Sequence, residues 1–592
     1  MQPIRRFTLI IVLFGLIAIL GLPSQAQDLP QAVTTDREMI VTANPLATRA
    51  GAFILRIGGS ATDAMIAAQT VLGLVEPQSS GLGGGAFIVY YDAKTQTTTT
   101  FDGREKAPAA ATEARFLDSN SDPLSFFVAW QSGLSVGVPG VPRLLEVMHQ
   151  RFGHLPWPRL FVPAKVLAQK GFRLTETTSS QVATLLSFNP SCADGERLFF
   201  RDPTAFNYFV NAEDCTAKPA GTKIRNKDYA KTLKRLAKHG SAGFYTGDLA
   251  ADIAAAVQGD LTIPGDMMVA DLAAYEVVER EPICIDYRGR NVCGMGPPSS
   301  GGLAVGQILG ILENFALGTD PLAVDAVHLF TQAGRLAFAD RNLYVADSDF
   351  VTVPAQGMLN KDYLASRAAL IGFNDLGTVD PGVPTSDFDP SAPDPSTKNT
   401  GTTHISIVDR YGNALSMTSS IEAPFGNGVM VPGWGFLLNN QLTDCSFAPE
   451  SADGTPIANR VEPNKRPRSS MSPTIVFDDQ NNVELLTGSP GGSRIIGYTA
   501  QSIINVFDFD LDPQEAVSVP HFMNRNGSTD LEAPIPGVTL DFGVDALKAA
   551  LEARGHPVSI VEQTSGLGVI QVTEEGFIGG ADPRRDTTVG GQ

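Results

Sequence analysis

The junction between Gly401 and Thr402 constrains the fold more than any other stretch of the chain. Residues 373–401, within GFNDLGTVDPGVPTSDFDPSAPDPSTKNTG, are dense in Pro, Asp, Ser, Thr and Gly and carry almost no periodic apolar residues. That is the composition of an exposed, mobile linker. Directly after it, residues 402–409 alternate, with Thr403, Ile405 and Ile407 on one face and Thr402, His404, Ser406 and Val408 on the other. The turn residues 409–413 then reverse the chain into ALSMTSSI, so a β-hairpin is predicted to begin abruptly at Thr402. PTIVFDD, VELLTG and GVIQVT read as further strands, and TAQSIINVF and residues 544–554 as helices. This order suits antiparallel sheets covered by helices, an α+β architecture.

Upstream, residues 48–74 read as two helices broken at Gly58 and Gly59, the second opened by a Ser60/Asp63 capping box. SSGLGGGAF then leads into the apolar strand AFIVYY. Its glycines precede a strand, whereas a dinucleotide fingerprint leaves a strand and opens a helix. Two more helices are marked by Tyr229, Leu233, Leu236 and Ala237, between an Asn226 cap and a Gly240 stop, and by Val327, Phe330, Ala333, Leu336 and Ala337.

With 592 residues, 43 % of them hydrophobic and 18 % charged, the chain affords a large core and has no signature of disorder. A formal charge of −19 repels a phosphate backbone, which argues against a nucleic-acid partner. Arg5 and Arg6, the apolar residues 7–22 and the small residues Ser24 and Ala26 read as an export signal removed after Ala26. The apolar run is short for a ~30 Å bilayer core. The mature protein is therefore expected in a periplasm or the medium, with no membrane attachment. Five cysteines fit that setting. Cys284 and Cys293 lie symmetrically about an Arg288-Gly289 turn and are placed to bridge; Cys192 and Cys215 could close a loop, leaving Cys445 odd. No cysteine or histidine spacing supports a metal site.

Two nucleophiles stand out. Gly133-Leu134-Ser135-Val136-Gly137 matches the G-x-S-x-G elbow, a match that chance supplies readily in a chain with 58 glycines. Thr402 is the other. If the bond after Gly401 were cut, Thr402 would carry a hydroxyl nucleophile and a free α-amine of pKa ~7.7–8, so that nucleophile and base share one residue. The cut could be made by the Thr402 hydroxyl itself, attacking the sterically open Gly401 carbonyl.

TTHISIVDRYGNALSMTSSIEAPFGNG, followed by LLNNQLTD, NKRPRSSMSPTIV and TGSPGGSRI, resembles the small subunit of γ-glutamyltransferases, also called glutathione hydrolases. The resemblance extends upstream through SSGLGGGAF, FDGREKAPAAAT, SVGVPG and PPSSGG, and downstream to ADPRRD, covering nearly the whole mature chain. It implies the N-terminal nucleophile hydrolase fold, a four-layer αββα sandwich from a precursor that cleaves itself at Gly401/Thr402. Residues 1–26 would then be the signal peptide, 27–401 the large subunit and 402–592 the small one. Ser135 falls in the family's GVPG turn and loses its claim.

By resemblance, Thr402 is nucleophile for processing and catalysis, with Thr403 beside it and Ser420 as the supporting hydroxyl, where the family has Thr. Gly491 and Gly492 match the backbone donors to the oxyanion. Arg104, Ser469 and Ser470 match the ligands of the substrate α-carboxylate, and Gln441 and Asp444 those of the α-amino group. The departure is Glu422, where γ-glutamyl-specific members usually carry Asn. The implied activity is acyl transfer from a γ-glutamyl donor such as glutathione, through a Thr402 acyl-enzyme, to water or to an amino acid or peptide acceptor, without metal or organic cofactor. Two alternatives remain: a related acylase of cephalosporin or glutaryl type, which Glu422 favours, and an unprocessed, catalytically silent binding protein.

Overall fold

A computed structural model describes residues 30–592 apart from 190, 194, 386, 390, 395, 397–400, 536, 537 and 539–541. The predicted signal, residues 1–26, and linker residues 397–400 lie outside the described residues. The alternation at Thr402 is realised as the strand Gly401–Val408, paired antiparallel with Ala414–Glu422 across the predicted turn.

This hairpin forms the centre of a seven-stranded sheet in the order Thr588–Gly591, Met39–Thr42, Gly401–Val408, Ala414–Glu422, Gly85–Asp92, Thr97–Gly103, Val278–Arg280. A second seven-stranded sheet runs Val33–Thr35, Gly576–Ala581, Gly568–Thr573, Val483–Thr487, Thr474–Phe477, Arg290–Gly294, Ile283–Tyr287. Because side chains alternate across a strand, each sheet has two faces to cover. Ile405, Ile407, Leu415 and Met417 point outward into helices Pro45–Arg56 and Ala61–Val75. Val408, Ala414, Val89 and Met39 point inward against Ile475, Phe477, Leu486 and Ile570 of the second sheet. That sheet's outer face, with Val476, Leu485 and Val569, packs on helices Gly301–Leu312, Val324–Tyr344 and Ile495–Phe507. The result is the α+β sandwich in four layers, αββα. Strands from both sides of Gly401 interleave in both sheets, so two halves cut there would remain one body.

Local signals are realised closely. Ser60 and Asp63 make the reciprocal capping box, and the Asn226 side chain accepts from Tyr229 N at 2.8 Å to open Lys227–His239. Cys284 and Cys293 are directly opposed in the hairpin register and are bridged, as are Cys192 and Cys215; Cys445 is buried outside both bridges. Ser135 is fully buried with its one hydroxyl hydrogen shared between Trp130 O and Ser132 O, a core hydroxyl. No helix among the described residues is long and apolar enough to cross a membrane.

The linker needs a correction. Composition predicts exposure throughout, yet Ala392 and Asp394 are buried, and the Asp394 carboxylate accepts from Arg468 at 3.1 Å and Asn459 at 3.0 Å. Near the linker's start, Asp375 pairs with buried Arg335 at 2.7 Å. A carboxylate can be buried when a guanidinium neutralises it and bonds it, and composition registers only its polarity.

Candidate active site

Thr402 lies where pairing is one-sided. The neighbouring strand Met39–Thr42 covers only Ile405 to Val408, so the first residues of the central strand have a partner on one edge alone. On that edge Thr402 sits opposite Ser420, and the ladder slips between Gly401 and Thr402, bringing Gly401 opposite Glu422. Cross-strand register therefore sets the distance between Thr402 Oγ1 and Ser420 Oγ, 3.1 Å. Ser420 Oγ also donates to Gly401 O at 2.8 Å and accepts from Glu422 N at 2.9 Å. Since a hydroxyl has one hydrogen and that one goes to Gly401 O, Thr402 is the donor in its bond to Ser420. On the far side Arg585 Nη1 donates to Thr402 O at 3.2 Å.

Behind Thr402, on the same face, His404 is buried between the sheets. Ser406 Oγ gives its hydrogen to Gly568 O, so His404 Nε2 donates to Ser406 and Nδ1 accepts from Thr418. Burial pulls its pKa down to about 3, which makes it a neutral strut with no part in proton transfer near pH 7. Thr403, on the opposite face, is a fully buried strand residue.

The pocket in front of Thr402 is lined by Ser420, Glu422, Arg104, Gln441, Asp444, Ser469, Ser470 and Gly492, all named by the sequence. Arg104 Nη2 meets Asp444 Oδ2 at 2.6 Å, and Gln441 Nε2 donates to the same oxygen at 2.7 Å. Arg104 is held in place by the carbonyls of Pro467 and Arg468. Behind it, buried Glu105 has its pKa pushed up to about 8: burial outweighs Arg104, 3.9 Å away and already paired with Asp444. Glu422 adopts φ +76° and its carboxylate accepts a hydrogen bond from Asn440, on the segment that carries Gln441 and Asp444. Gly491, at φ +138°, and Gly492, at φ +60°, form the turn into helix Ile495–Phe507. A Cβ on Gly491 would lie 2.4 Å from the Tyr498 ring, so only glycine fits.

Known proteins resemble this chain over nearly its whole length. The family model described as Gamma-glutamyltranspeptidase matches residues 47–591. The chain belongs to the γ-glutamyltranspeptidase family. It is 37 % identical to the glutathione hydrolase proenzyme of Bacillus subtilis strain 168, over 84 % of this chain and 82 % of that one. To the glutathione hydrolase proenzyme of Escherichia coli strain K12 it is 36 % identical, over 95 % and 93 %. Among solved structures, cephalosporin acylase from Bacillus halodurans superposes with a TM-score of 0.81 at 27 % identity, covering 98 % of this chain and 99 % of that one.

Within this family member, several pocket residues had no assignment from sequence. Arg341, Arg468, Ser396 and Ser493 also line the pocket. Arg468 and Ser493 sit inside recognised motifs, RPRSSMSP and TGSPGGSRI, and Asn440 and Arg585 inside NNQLTD and ADPRRD; the strings held them without distinguishing them from packing residues. Arg341, in the middle of AFADRNLY, carried no signal. A charged residue on a helix reads as a solvated face, and only the fold shows it buried.

Proposed function

We propose that this protein is a self-processing γ-glutamyltransferase and glutathione hydrolase that uses Thr402 as nucleophile. The observation that carries the reading is the meeting of Thr402, its Ser420 hydroxyl partner and the opposed charges of Arg104 and Asp444 in one pocket. A γ-glutamyl group ends in an α-carboxylate and an α-ammonium. Such a zwitterion fits an opposed ion pair, its carboxylate replacing Asp444 on Arg104 and its ammonium replacing Arg104 on Asp444.

In processing, Thr402 Oγ1 attacks the Gly401 carbonyl carbon while Ser420 polarises its oxygen. The C–N bond breaks, the nitrogen takes up the proton and becomes the Thr402 α-amine, and the resulting ester is hydrolysed. In turnover, that amine takes the hydroxyl proton as Oγ1 attacks the γ-carbonyl. Backbone N–H groups of Gly491 and Gly492 serve the oxyanion, at a typical ~3–4 kcal/mol per donor. The amine product leaves with the proton, and water or an amino-acid acceptor releases the acyl group. Export to a periplasm or the medium completes the reading.

A second reading keeps fold and mechanism and changes the acyl group; the likeness to a cephalosporin acylase favours it, and Glu422, where γ-glutamyl-specific members usually carry Asn, is the residue at which the two readings are tested.

The test is a gel and a panel of anilides. Purified protein should run as pieces of roughly 40 and 20 kDa at ~110 Da per residue, the smaller beginning Thr-Thr-His, while Thr402→Ala stays one chain and loses about 10⁴-fold or more in turnover. An alanine variant that matures normally removes Thr402 from the mechanism. Preference for γ-glutamyl over glutaryl anilide supports the first reading, and the reverse supports the second.

A further inference from the structure

Arg341 and Arg468 are pocket cations that the proposed reaction leaves unused, and of the two Arg341 has, among the described residues, no carboxylate bonded to it. It lies near the end of helix Val324–Tyr344, is 4 % exposed and lines the pocket. Its Nε donates to Ser300 Oγ, Nη1 to Asn342 Oδ1 and Nη2 to Ser470 Oγ, each at 2.9 Å. The other two arginines of the pocket each hold a carboxylate: Arg104 has Asp444 at 2.6 Å and Arg468 has Asp394 at 3.1 Å. Among the described residues, no carboxylate lies within ion-pairing distance of Arg341. Burial and the neighbouring Arg468 draw its pKa well below the usual arginine range, and the carboxylates of Asp394 and Asp444, each paired with another arginine, offset this only in part.

The hydroxyls around it have a direction. Ser300 Oγ accepts from Arg341 and donates to Ser469 O at 2.7 Å, and Ser300 N donates to that same carbonyl at 2.8 Å. Ser470 Oγ accepts from Arg341, and Ser469 Oγ accepts from Met471 N at 3.1 Å. Each serine has one hydrogen to give. Among the described residues neither Ser469 nor Ser470 spends it, so both face the pocket as donors.

We infer that Arg341 is a positioning residue for anion recognition: through Ser300 and Ser470 it sets the Ser469–Ser470 turn as a pair of hydroxyl donors, and it adds a pocket-lining cation that no carboxylate among the described residues directly pairs. It thereby selects acyl donors that carry a carboxylate at the far end of the acyl chain. The inference rests on the reading of the pocket as the acyl-group site.

Three anilides separate the groups: γ-glutamyl carries carboxylate and ammonium, glutaryl the carboxylate alone, and 4-aminobutyryl the ammonium alone. In Arg341→Gln, kcat/KM for the two carboxylate-bearing donors should fall at least about tenfold, chiefly through KM, with 4-aminobutyryl changed less than about twofold. Arg341→Lys should recover part of the loss. The ratio is internal to one preparation, so incomplete folding cancels, and if Arg341→Gln yields no folded protein, Arg341→Lys carries the same ratio test with a smaller loss. A uniform loss on all three donors, or none on any, overturns the inference. The double variant Arg341→Gln/Ser470→Ala should lose less than the product of the single losses; a full product overturns the route through Ser470. A wild type that prefers glutaryl to γ-glutamyl removes the γ-glutamyl reading, while the Arg341 inference still stands or falls on the variant ratios.

Discussion

The two walls of the pocket are built by different means. The nucleophile wall is one hairpin, in which Thr402, Ser420 and Glu422 are placed by the register of adjacent strands. The binding wall is assembled from distant loops and helices, and its central ion pair joins residues 340 positions apart in sequence. Register is enforced by every ladder bond and by the burial of Ile405 and Ile407, so the first wall is rigid wherever the sheet is. The second wall depends on a few charge-assisted bonds, each needing its own geometry. Substitutions should therefore damage binding at one wall without disturbing processing at the other.

Arg104→Lys tests that separation with the largest effect. A lysine cannot reproduce the fork that reaches Asp444, Pro467 O and Arg468 O together. We expect kcat/KM for a γ-glutamyl anilide to fall about 100-fold, mainly through KM, while cleavage into two pieces proceeds normally. If the lysine variant stays uncut, the two walls are not independent.

Glu422 belongs to both walls and sharpens the comparison. Its backbone lies in the hairpin opposite Gly401, and its carboxylate accepts from Asn440 on the loop of Asp444. A second carboxylate there should favour an ammonium. Glu422→Asn is expected to lower kcat/KM roughly fivefold on γ-glutamyl and 4-aminobutyryl anilides and to leave glutaryl unchanged. Equal losses on glutaryl would show that Glu422 does not act on the ammonium.

The same contrast explains what the sequence revealed. Alternation from Thr402, the turn at 409–413, the Ser60/Asp63 and Asn226 caps and the Arg288-Gly289 hairpin are local patterns, and each appears where the pattern put it. The binding wall was legible only through resemblance, which named Arg104, Gln441, Asp444, Ser469 and Ser470 because they stand in motifs. No periodicity announces Arg341 as a pocket residue, since its pocket face comes from long-range packing. Nor does composition distinguish Asp394, buried against Arg468, from the solvated acids around it. Pairing across hundreds of residues leaves no mark within a short window.

Behind each wall sits a buried titratable group, and the two have opposite pH signs. His404, behind the hairpin, has a folded pKa of about 3 against an ordinary 6.5. Below pH 6.5 the unfolded chain binds a proton that the folded one refuses, so stability present above 6.5 is lost as pH falls from 6.5 towards 3, by up to ~1.4 kcal/mol per pH unit. Glu105, behind Arg104, has a folded pKa of about 8 against an ordinary 4.5. Above pH 4.5 the unfolded chain releases a proton that the folded one keeps, so stability present below 4.5 is lost as pH rises from 4.5 towards 8, again by up to ~1.4 kcal/mol per unit. His404→Gln, whose amide can still donate to Ser406 and accept from Thr418, should flatten the acid limb of a denaturation-against-pH curve and leave the alkaline limb alone. Glu105→Gln should do the reverse, being neutral at every pH and filling the same space. Urea midpoints for wild type and both variants at pH 5, 7 and 8.5 decide the matter. Unchanged limbs in both variants would place the pH dependence in other groups and remove this difference between the walls.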